Sequence, residues 1–365
     1  MRIELIDLKK RYENEREDLL GIFDTVLKNG SLVLTDEVFN FEKKICEYTN
    51  SKYCLGLNSG TDALMMALWS LGIKRGNEII TSPISFIASV GAIVHIGAKP
   101  IFVDVKNDLN INEDLIESAI TENTKAIMPV HWSGKICNME KIIEIANRYD
   151  LKIIEDSAQG MGSYYKDKHA GTFGEISAFS AHPLKNLNAV GDSGFVTTNN
   201  EDLYNKIKLY RSHGMQSRDN VKIFGINSRL DSLNAEILSY RLTKLKNVIN
   251  KRRKNISLYK KYIKTDKVIL PEDGKNSYDS YVMMISLCEN RNDLKDFLES
   301  KSIQSLVYYG TPLHLHDASK VLGYKRGDLI NAERICEKVL SFPHNQYLLE
   351  EEIKYVSECI NQFYQ

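Results

Sequence analysis

Short apolar runs alternate with helical patterns over the first two-thirds of the chain. The runs contain few polar residues in alternation, which is typical of strands buried on both faces of a sheet. They are residues 53–57, 78–82, 99–104, 126–130, 152–156, 176–180 and 194–198. Helical spacing occurs at residues 61–71 and 139–149, and Asn138 is a suitable N-cap for the second helix. This alternation predicts an α/β domain with a mostly parallel central sheet flanked by helices.

The pattern changes near Asp231. Residues 233–264 form one long helical stretch that is rich in Lys, Arg and Asn. A strand at 280–287, a helix at 292–301, a strand at 305–309 and a terminal helical region then follow. We predict a large domain over residues 1–245 and a smaller α+β domain over residues 246–365, with the boundary inside the long helix. The length of 365 residues fits two domains.

Charge and composition exclude several classes of partner. Lys and Arg together number 48, as do Asp and Glu, so the chain has neither the basic excess of a nucleic-acid-binding protein nor a polybasic membrane surface. The charged N-terminal segment does not resemble a signal peptide, and the apolar stretch 84–105 is too interrupted to span a bilayer. Six scattered cysteines without a CxxC pair are expected to be reduced thiols, and a cytoplasmic location is expected.

Two acidic residues, Glu155 and Asp156, end the apolar run 152–156. In open α/β sheets, ligands bind beyond the carboxyl ends of the strands. A carboxylate at that position can pair with a protonated ring nitrogen, and this pairing keeps the carboxylate ionised. Taken alone, however, the segment is better explained by an aspartate that caps a helix.

A polar turn after the run 176–180 presents Lys185. A lysine amine that is partly desolvated and close to other cations has a lowered pKa and can form a Schiff base. The alternative is a solvated surface lysine, since lysines are abundant in this chain. Upstream, Gly60 and Thr61 lie between a strand and a helix, where free backbone N–H groups bind phosphate. They do not form a P-loop, and an ordinary helix cap is the alternative.

Phe86 follows the run 78–82, where an aromatic ring can stack on a planar cofactor. The segment 225–231 offers Asn227 and Arg229 to a phosphate or a carboxylate. A core phenylalanine and a polar loop are the alternatives for these two segments. Along the chain, however, a phosphate-type turn, an aromatic residue, a strand-end aspartate and a lysine follow one another. Pyridoxal phosphate requires this set of groups.

The sequence resembles the DegT/DnrJ/EryC1/StrS sugar aminotransferases, which have the aspartate aminotransferase fold. The resemblance extends nearly from end to end and is most specific between residues 155 and 194, which read EDSAQ, AGTFGEISAFS and HPLKNLNAVGDSG. It implies that Lys185 forms the Schiff base with pyridoxal 5'-phosphate and moves protons. It also implies that Asp156 holds the pyridinium nitrogen. The other positions that it implies for the cofactor are Gly60, Thr61 and Ser180 at the phosphate, Phe86 on the ring face and Gln159 near the ring.

The resemblance also implies partners. Asn227 would contact the cofactor phosphate of the neighbouring subunit, so the protein would be an obligate homodimer with shared active sites. His182, Arg229 and His314 lie in segments that match the region around the substrate. Family members transfer the amino group of glutamate to a keto group of a nucleotide-linked deoxysugar. The motifs KNLNAVGDSG and GINSRLD are similar to members that aminate carbon 3, and amination of carbon 4 is the alternative. The products of such enzymes enter surface glycans or glycosylated metabolites.

Other activities remain as alternatives at this point. A sugar dehydratase on the same fold carries histidine in place of the lysine at position 185, and a keto-cyclitol is another acceptor class. A nicotinamide site is disfavoured because residues 160–165 lack the third glycine of the dinucleotide fingerprint. A non-catalytic binding protein would not need both Lys185 and Asp156. No metal is expected, since His314, His316 and Asp317 have no further ligand cluster nearby in the sequence.

Overall fold

Seven strands form the central sheet of the computed structural model, which describes residues 2–30 and 32–365. They are β1 (Tyr53–Leu57), β2 (Glu78–Thr81), β3 (Lys99–Phe102), β4 (Thr124–Met128), β5 (Lys152–Asp156), β6 (Ile176–Ser180) and β7 (Gly194–Thr198). The strand order is β1–β7–β6–β5–β4–β2–β3. Neighbouring strands are parallel except in the two pairs that include β7. The predicted α/β fold with a mostly parallel sheet is therefore confirmed.

Four of the seven predicted strands have the predicted bounds, and these include β5 and β6, which end at the site described below. The prediction for 126–130 is displaced, because the strand begins at Thr124 and ends at Met128. Pro129 follows directly, and a proline has no N–H to donate to a neighbouring strand. Beyond it, only an isolated bridge joins Val130 to Asp156.

Ten α-helices are found in the described residues, where they flank the central sheet and form much of the C-terminal part of the chain. They are α1 (Leu8–Asn29), α2 (Asp36–Thr49), α3 (Gly60–Ser70), α4 (Ile87–His95), α5 (Met139–Arg148), α6 (Glu201–Tyr210), α7 (Ser232–Tyr262), α8 (Arg291–Ser300), α9 (Ile330–Lys338) and α10 (Glu350–Phe363). Side-chain caps begin several of them, since Ser59 accepts from the N–H of Asp62 and Asn138 from that of Lys141. The predicted cap at Asn138 is thus confirmed.

The C-terminal part of the chain forms a three-stranded antiparallel sheet with helices. Its strands are β8 (Val268–Ile269), β9 (Ile285–Cys288) and β10 (Val339–Ser341). The predicted strand 280–287 begins only at Ile285. Before it, Tyr281 has a φ of 46°, and its carbonyl accepts a hydrogen bond from the side chain of His344 rather than from a strand. The predicted strand 305–309 is wrong, because only Leu306 pairs there, with Ser341.

The long helix α7 packs in both parts of the molecule. Its first half, up to Ile249, contributes to an apolar cluster beneath the central sheet. From Ile256 onward it contributes to the cluster of the C-terminal sheet, which also contains Ile3 from the start of the chain. A division of the chain within this helix agrees with that packing, and the boundary at residue 245 stays a prediction.

Two further small sheets, which the sequence did not predict, complete the strands. Tyr164–Tyr165 pairs with Lys168–His169 and with Ser277–Tyr278, and Met215–Ser217 pairs with Asn220–Val221. The six cysteines, all within the described residues, form no disulfide. In the part of the chain that the structure describes, no helix combines the length and the apolar character needed to cross a membrane.

Candidate active site

The carboxyl edge of the central sheet brings three segments together. Asp156 ends β5 and lies in register with Ala178 on the neighbouring strand β6. Two residues later, Ser180 ends β6 and pairs with Gly194. Because β7 is antiparallel, its first residue Gly194 lies at the same edge as the last residues of β5 and β6. The predicted residues Asp156 and Ser180 therefore lie on adjacent strands, at the edge where α/β sheets bind ligands.

The Asp156 side chain is buried, with 3% of its surface exposed. Its Oδ2 accepts a hydrogen bond from Ser89 Oγ at 2.6 Å, and its Oδ1 accepts one from the N–H of Ala158 at 3.2 Å. Burial raises the pKa of Asp156, while these hydrogen bonds and the positive charge of Lys185 oppose that rise. The arrangement thus holds a carboxylate beside a lysine in a poorly solvated place.

Glu155, the other acidic residue of the motif, points to the opposite face of the sheet, as successive residues of a strand must. Its carboxylate accepts hydrogen bonds from the N–H groups of Phe173 and Gly174 at 2.7 and 2.8 Å. It also accepts one from Gly171 and lies 2.9 Å from the Nε2 atom of the buried His131. Glu155 therefore holds the loop before β6 and leaves Asp156 as the carboxylate at the site.

Lys185 lies in the polar turn that follows β6. The turn is closed by a hydrogen bond from its N–H to the carbonyl of His182 at 2.9 Å, and its carbonyl accepts one from Asn188 Nδ2 at 2.8 Å. Burial lowers the pKa of Lys185 to about 8, and the charge of Asp156 partly opposes this shift. A substantial fraction of this amine is therefore neutral, and hence nucleophilic, near physiological pH.

Two arginines hold the lysine turn and were not foreseen from the sequence. Arg11 Nη1 donates to the carbonyl of Pro183 at 2.9 Å and to Asn188 Oδ1 at 3.0 Å. Arg241 Nη1 donates to the same Asn188 Oδ1 at 2.7 Å. These contacts join helices α1 and α7 to the turn. They fix the backbone that carries Lys185, although both arginines are more than 50 residues away in the sequence.

A glycine-lined recess lies beside this turn at the start of α3. A Cβ atom added to Gly60 would lie 2.7 Å from Ser180 Cβ, and one added to Gly194 would lie 2.4 Å from the carbonyl carbon of Ser59. The backbones therefore approach more closely than side chains would allow. The N–H groups of Gly60 and Thr61, in the first turn of α3, have no acceptor within the helix. Together with the hydroxyl of Ser180 and the positive end of the helix dipole, they suit a phosphate group.

Asn227 is tied to the same end of the sheet through its backbone. Asn58 Nδ2 donates to its carbonyl at 3.1 Å, and the N–H of Asn58 donates to Ser228 Oγ at 3.2 Å. Ser228 in turn donates to Asp62 Oδ2 at 2.6 Å. The Asn227 side chain is exposed, so it faces outward from the chain beside the glycine-lined recess.

Phe86 and Gln159 are the residues that the resemblance placed at the cofactor ring. Phe86 precedes α4 and has 53% of its surface exposed, with its ring centroid 6.2 Å from that of Tyr309. Gln159 is buried, and its Oε1 accepts a hydrogen bond from the N–H of Ser133 at 2.7 Å. An exposed ring at the site's edge is available to stack on a planar ligand.

The three residues matched to the substrate region are placed differently from one another. His182 is exposed at the start of the lysine turn, and desolvation lowers its pKa, with a contribution from the charge of Lys185. Arg229 is half-buried. His314 is buried and lies 3.1 Å from Glu333, with its ring packed near Phe102. These contacts of His314 do not include Lys185 or Asp156.

A cavity of about 690 Å³ lies elsewhere in the molecule. It is lined by Lys135, Leu270 and Tyr281 among others, and it does not include Lys185 or Asp156. In the described residues, no group of three or more His, Cys, Asp and Glu side chains is placed to hold a metal ion.

The site residues fit a phosphate-bearing pyridine cofactor. The glycine-lined recess offers N–H groups where added side chains would collide, Asp156 offers a buried carboxylate for a ring nitrogen, and Lys185 offers an amine of lowered pKa. Ser89 is a further contributor that the sequence did not suggest. Ser85, which lies just before helix α4, is only four residues from Ser89, but Asp156 is 67 residues away, so no local pattern indicated this contact.

The model of the DegT/DnrJ/EryC1/StrS aminotransferase family matches residues 13–361. The chain belongs to this family. Accordingly it is a pyridoxal phosphate-dependent aminotransferase that acts on sugars, and solved structures of this fold contain pyridoxal phosphate or its amine form.

Curated relatives match the aminotransferase over nearly its whole length. A pleiotropic regulatory protein of Geobacillus stearothermophilus is 36% identical and covers 100% of this chain and 99% of its own. The dTDP-3-amino-3,6-dideoxy-alpha-D-galactopyranose transaminase of Aneurinibacillus thermoaerophilus is 34% identical, covering 99% and 98%. The UDP-2-acetamido-2-deoxy-3-oxo-D-glucuronate aminotransferase of Pseudomonas aeruginosa is 31% identical, covering 98% and 99%.

Among solved structures, that of DesV from S. venezuelae in complex with a ketimine intermediate has a TM-score of 0.96. It is 32% identical and covers 99% of this chain and 98% of its own. The two chains therefore share one fold over nearly their whole lengths.

Proposed function

We propose that this aminotransferase moves the amino group of L-glutamate to a keto group, at carbon 3, of a nucleotide-linked deoxysugar. The product would supply amino sugars for surface glycans or glycosylated metabolites. The observation that carries the proposal is the pairing of Lys185, with a pKa of about 8, and the buried Asp156 beside a glycine-lined phosphate recess. An amine and a carboxylate in this relation suit a reaction in which the same lysine takes and returns protons.

Each site residue has a defined task in this proposal. Pyridoxal phosphate supplies an electron-withdrawing ring for the bonds at the reacting carbon. Lys185 Nζ holds the cofactor in the resting enzyme and then moves the proton at the α-carbon of the amino donor. The Asp156 carboxylate would accept a hydrogen bond from the ring N–H, and Phe86 and Gln159 would contact the ring.

The phosphate recess has an orienting role. Gly60, Thr61 and Ser180 anchor the phosphate at a helix N-terminus, and Gly194 leaves room for it. A phosphate held there fixes the distance between the ring and Lys185. The recess thereby converts binding energy at a remote group into orientation at the reacting carbon.

Amination at carbon 3 is supported by the relatives. The Aneurinibacillus enzyme is named for a 3-amino product and the Pseudomonas enzyme for a 3-oxo substrate, although their nucleotides and sugars differ. The turns around Lys185 and Asn227 are also of the kind found in members that aminate carbon 3. We therefore propose carbon 3 of the sugar as the position of amination, with either dTDP or UDP as the nucleotide.

A dehydratase is the second candidate on the same fold. The residue at the key position is Lys185, whereas the dehydratases have histidine there, which favours transamination. His182 lies three residues earlier and is exposed, but its N–H and ring take part in the turn rather than replacing the lysine amine. A keto-cyclitol acceptor in place of the sugar would use the same residues.

We further propose that the active enzyme is a homodimer with shared sites. Large apolar side chains are exposed on the chain, and these include Phe86 with 53% and Phe224 with 99% of the surface accessible. Helix α1 also exposes Leu20, Phe23 and Leu27 on successive turns. Contiguous exposed apolar surface is typical of an interface. The exposed Asn227 would contact the phosphate of the partner's cofactor across it.

The proposed reaction is tested with ¹⁵N-labelled glutamate and a panel of 3-keto and 4-keto deoxysugars linked to dTDP or UDP. We expect ¹⁵N to appear in the sugar, at carbon 3 by NMR, and to be absent with the Lys185→Ala variant. A deoxygenated product without nitrogen would instead establish the dehydratase. Label at carbon 4 would overturn the proposed position but not transamination.

The shared site is tested by mixing subunits. Asn227→Ala and Lys185→Ala homodimers are each expected to be impaired, the first in cofactor affinity. If each cofactor contacts both subunits, mixed dimers contain one site with both defects and one site with neither, so mixing should restore part of the activity. If mixing restores none while mass spectrometry shows that subunits exchange, sharing through Asn227 is excluded.

A further inference from the structure

We propose that Ser89, supported by Ser85, is a positioning residue that holds the Asp156 carboxylate in place for the ring nitrogen of the cofactor. This inference rests on the proposed function, because it requires Asp156 to meet that nitrogen. Neither serine lies in the motifs that led to the family. Ser89 lies on helix α4, and Ser85 lies in the segment just before it.

The contacts form a continuous chain. Ser89 Oγ lies 2.6 Å from Asp156 Oδ2, and Ser85 Oγ lies 2.6 Å from Ser89 Oγ. Ser89 and Ser85 are 1% and 4% exposed, so solvent does not compete for these hydrogen bonds. In a poorly solvated interior such bonds are stronger than at a surface, and consecutive bonds reinforce each other.

The direction of each hydrogen bond follows from the number of protons that each side chain can donate. An ionised carboxylate only accepts, so Ser89 must donate its single hydroxyl proton to Asp156. Its oxygen can then only accept from Ser85, which must therefore be the donor of the second bond. The chain is thus oriented from Ser85 through Ser89 to Asp156, and each member fixes the rotation of the next.

The two hydrogen bonds also orient the Asp156 carboxylate for a ligand. Ser89 occupies Oδ2 and the N–H of Ala158 occupies Oδ1, which together fix the plane of the carboxylate. The lone pairs that remain are those available to the ring N–H. Loss of the Ser89 hydroxyl would allow the Asp156 carboxylate to rotate. It would also remove a charge-assisted hydrogen bond from a buried anion, which costs free energy.

The test uses two ligands that differ only at the ring nitrogen. Apoenzyme is titrated with pyridoxal phosphate and with its 1-deaza analogue, in which carbon replaces that nitrogen, and the two dissociation constants are compared. In the wild type, a preference for pyridoxal phosphate reports the contact with Asp156. We expect Ser89→Ala to weaken binding of pyridoxal phosphate about tenfold, the size expected for a hydrogen bond to a charged group. Binding of the analogue should change less than about twofold, within the error of such a comparison.

Two further variants distinguish the positioning of Asp156 from a general effect on the stability of the fold. Ser89→Thr keeps the hydroxyl and should restore the preference, whereas Ser85→Ala should reduce it by less than Ser89→Ala does. If Ser89→Ala does not fold, as judged by circular dichroism and thermal unfolding, Ser85→Ala bears the test by itself. A variant that weakens the binding of both ligands equally would show a structural effect and overturn the proposal.

The same titrations distinguish a failure of the proposed function from a failure of the role proposed for the serines. A wild-type enzyme that binds both ligands equally would show that Asp156 does not meet the ring nitrogen, and both proposals would fall. A wild-type preference that persists unchanged in Ser89→Ala and Ser85→Ala would overturn only the role of the serines.

Discussion

The acidity of Lys185 can be measured directly on the apoenzyme. Burial lowers its pKa from 10.5 to about 8, so we expect about one molecule in ten to carry the neutral amine at pH 7. A solvated lysine would be neutral roughly 300 times less often at that pH, since each pKa unit is a factor of ten. The neutral fraction rises as the pH rises through the pKa, so reactivity should reach half its maximum near pH 8.

The assay is trace acetylation of apoenzyme between pH 6 and 10, followed by digestion and mass spectrometry. Exposed lysines in the same digest supply the labelling curve of a solvated amine. Asp156 is the charge that opposes the shift, so Asp156→Asn should move the midpoint for Lys185 to lower pH. A midpoint above about pH 9.5, or one that the Asp156 substitution leaves in place, would refute the account of this amine.

Two other substitutions test the recess and its support. Gly194→Ala places a Cβ against the backbone of Ser59. In fluorescence titrations it should weaken the binding of pyridoxal phosphate but not of phosphate-free pyridoxal, and Gly21→Ala, where an added Cβ meets nothing within 4 Å, is the control. Equal losses of affinity for both ligands would count against a phosphate site. Glu42→Gln leaves Arg211, 2.5 Å from the Glu42 carboxylate and 2% exposed, without its ionic partner. It should lower the free energy of unfolding by about 3–5 kcal/mol in equilibrium denaturation, and a loss below about 1 kcal/mol would contradict the importance of this pair.

The strands could be predicted where local sequence decides them. In the run 152–156, the apolar pair at its centre is flanked by Lys152 and Glu155, and the predicted bounds of the run are those of β5. Prediction failed where tertiary contacts decide the backbone. At Tyr281, side-chain partners from elsewhere take the carbonyl, and at Leu306 a single pairing with Ser341 replaces a strand.

The same division holds for the site. The types and order of Lys185 and Asp156 suggested the cofactor, because few other functions need that combination. The sequence did not disclose that Ser89 bonds to Asp156 or that Arg11 holds the lysine turn. Such contacts join segments that are distant in the chain, and one sequence contains no local pattern that records them. For His314, likewise, the sequence position gave no sign that its ring would be buried against Glu333.

The measurement that tests the central claim most directly is mass mapping of borohydride-reduced holoenzyme, with and without prior incubation with glutamate. Reduction fixes a cofactor joined to a lysine, so the account predicts a phosphopyridoxyl group on the peptide that contains Lys185. Glutamate should largely abolish that label, because the cofactor then carries the donated amino group and has left the lysine. A label on another lysine, or one at Lys185 that glutamate does not diminish, would contradict the account.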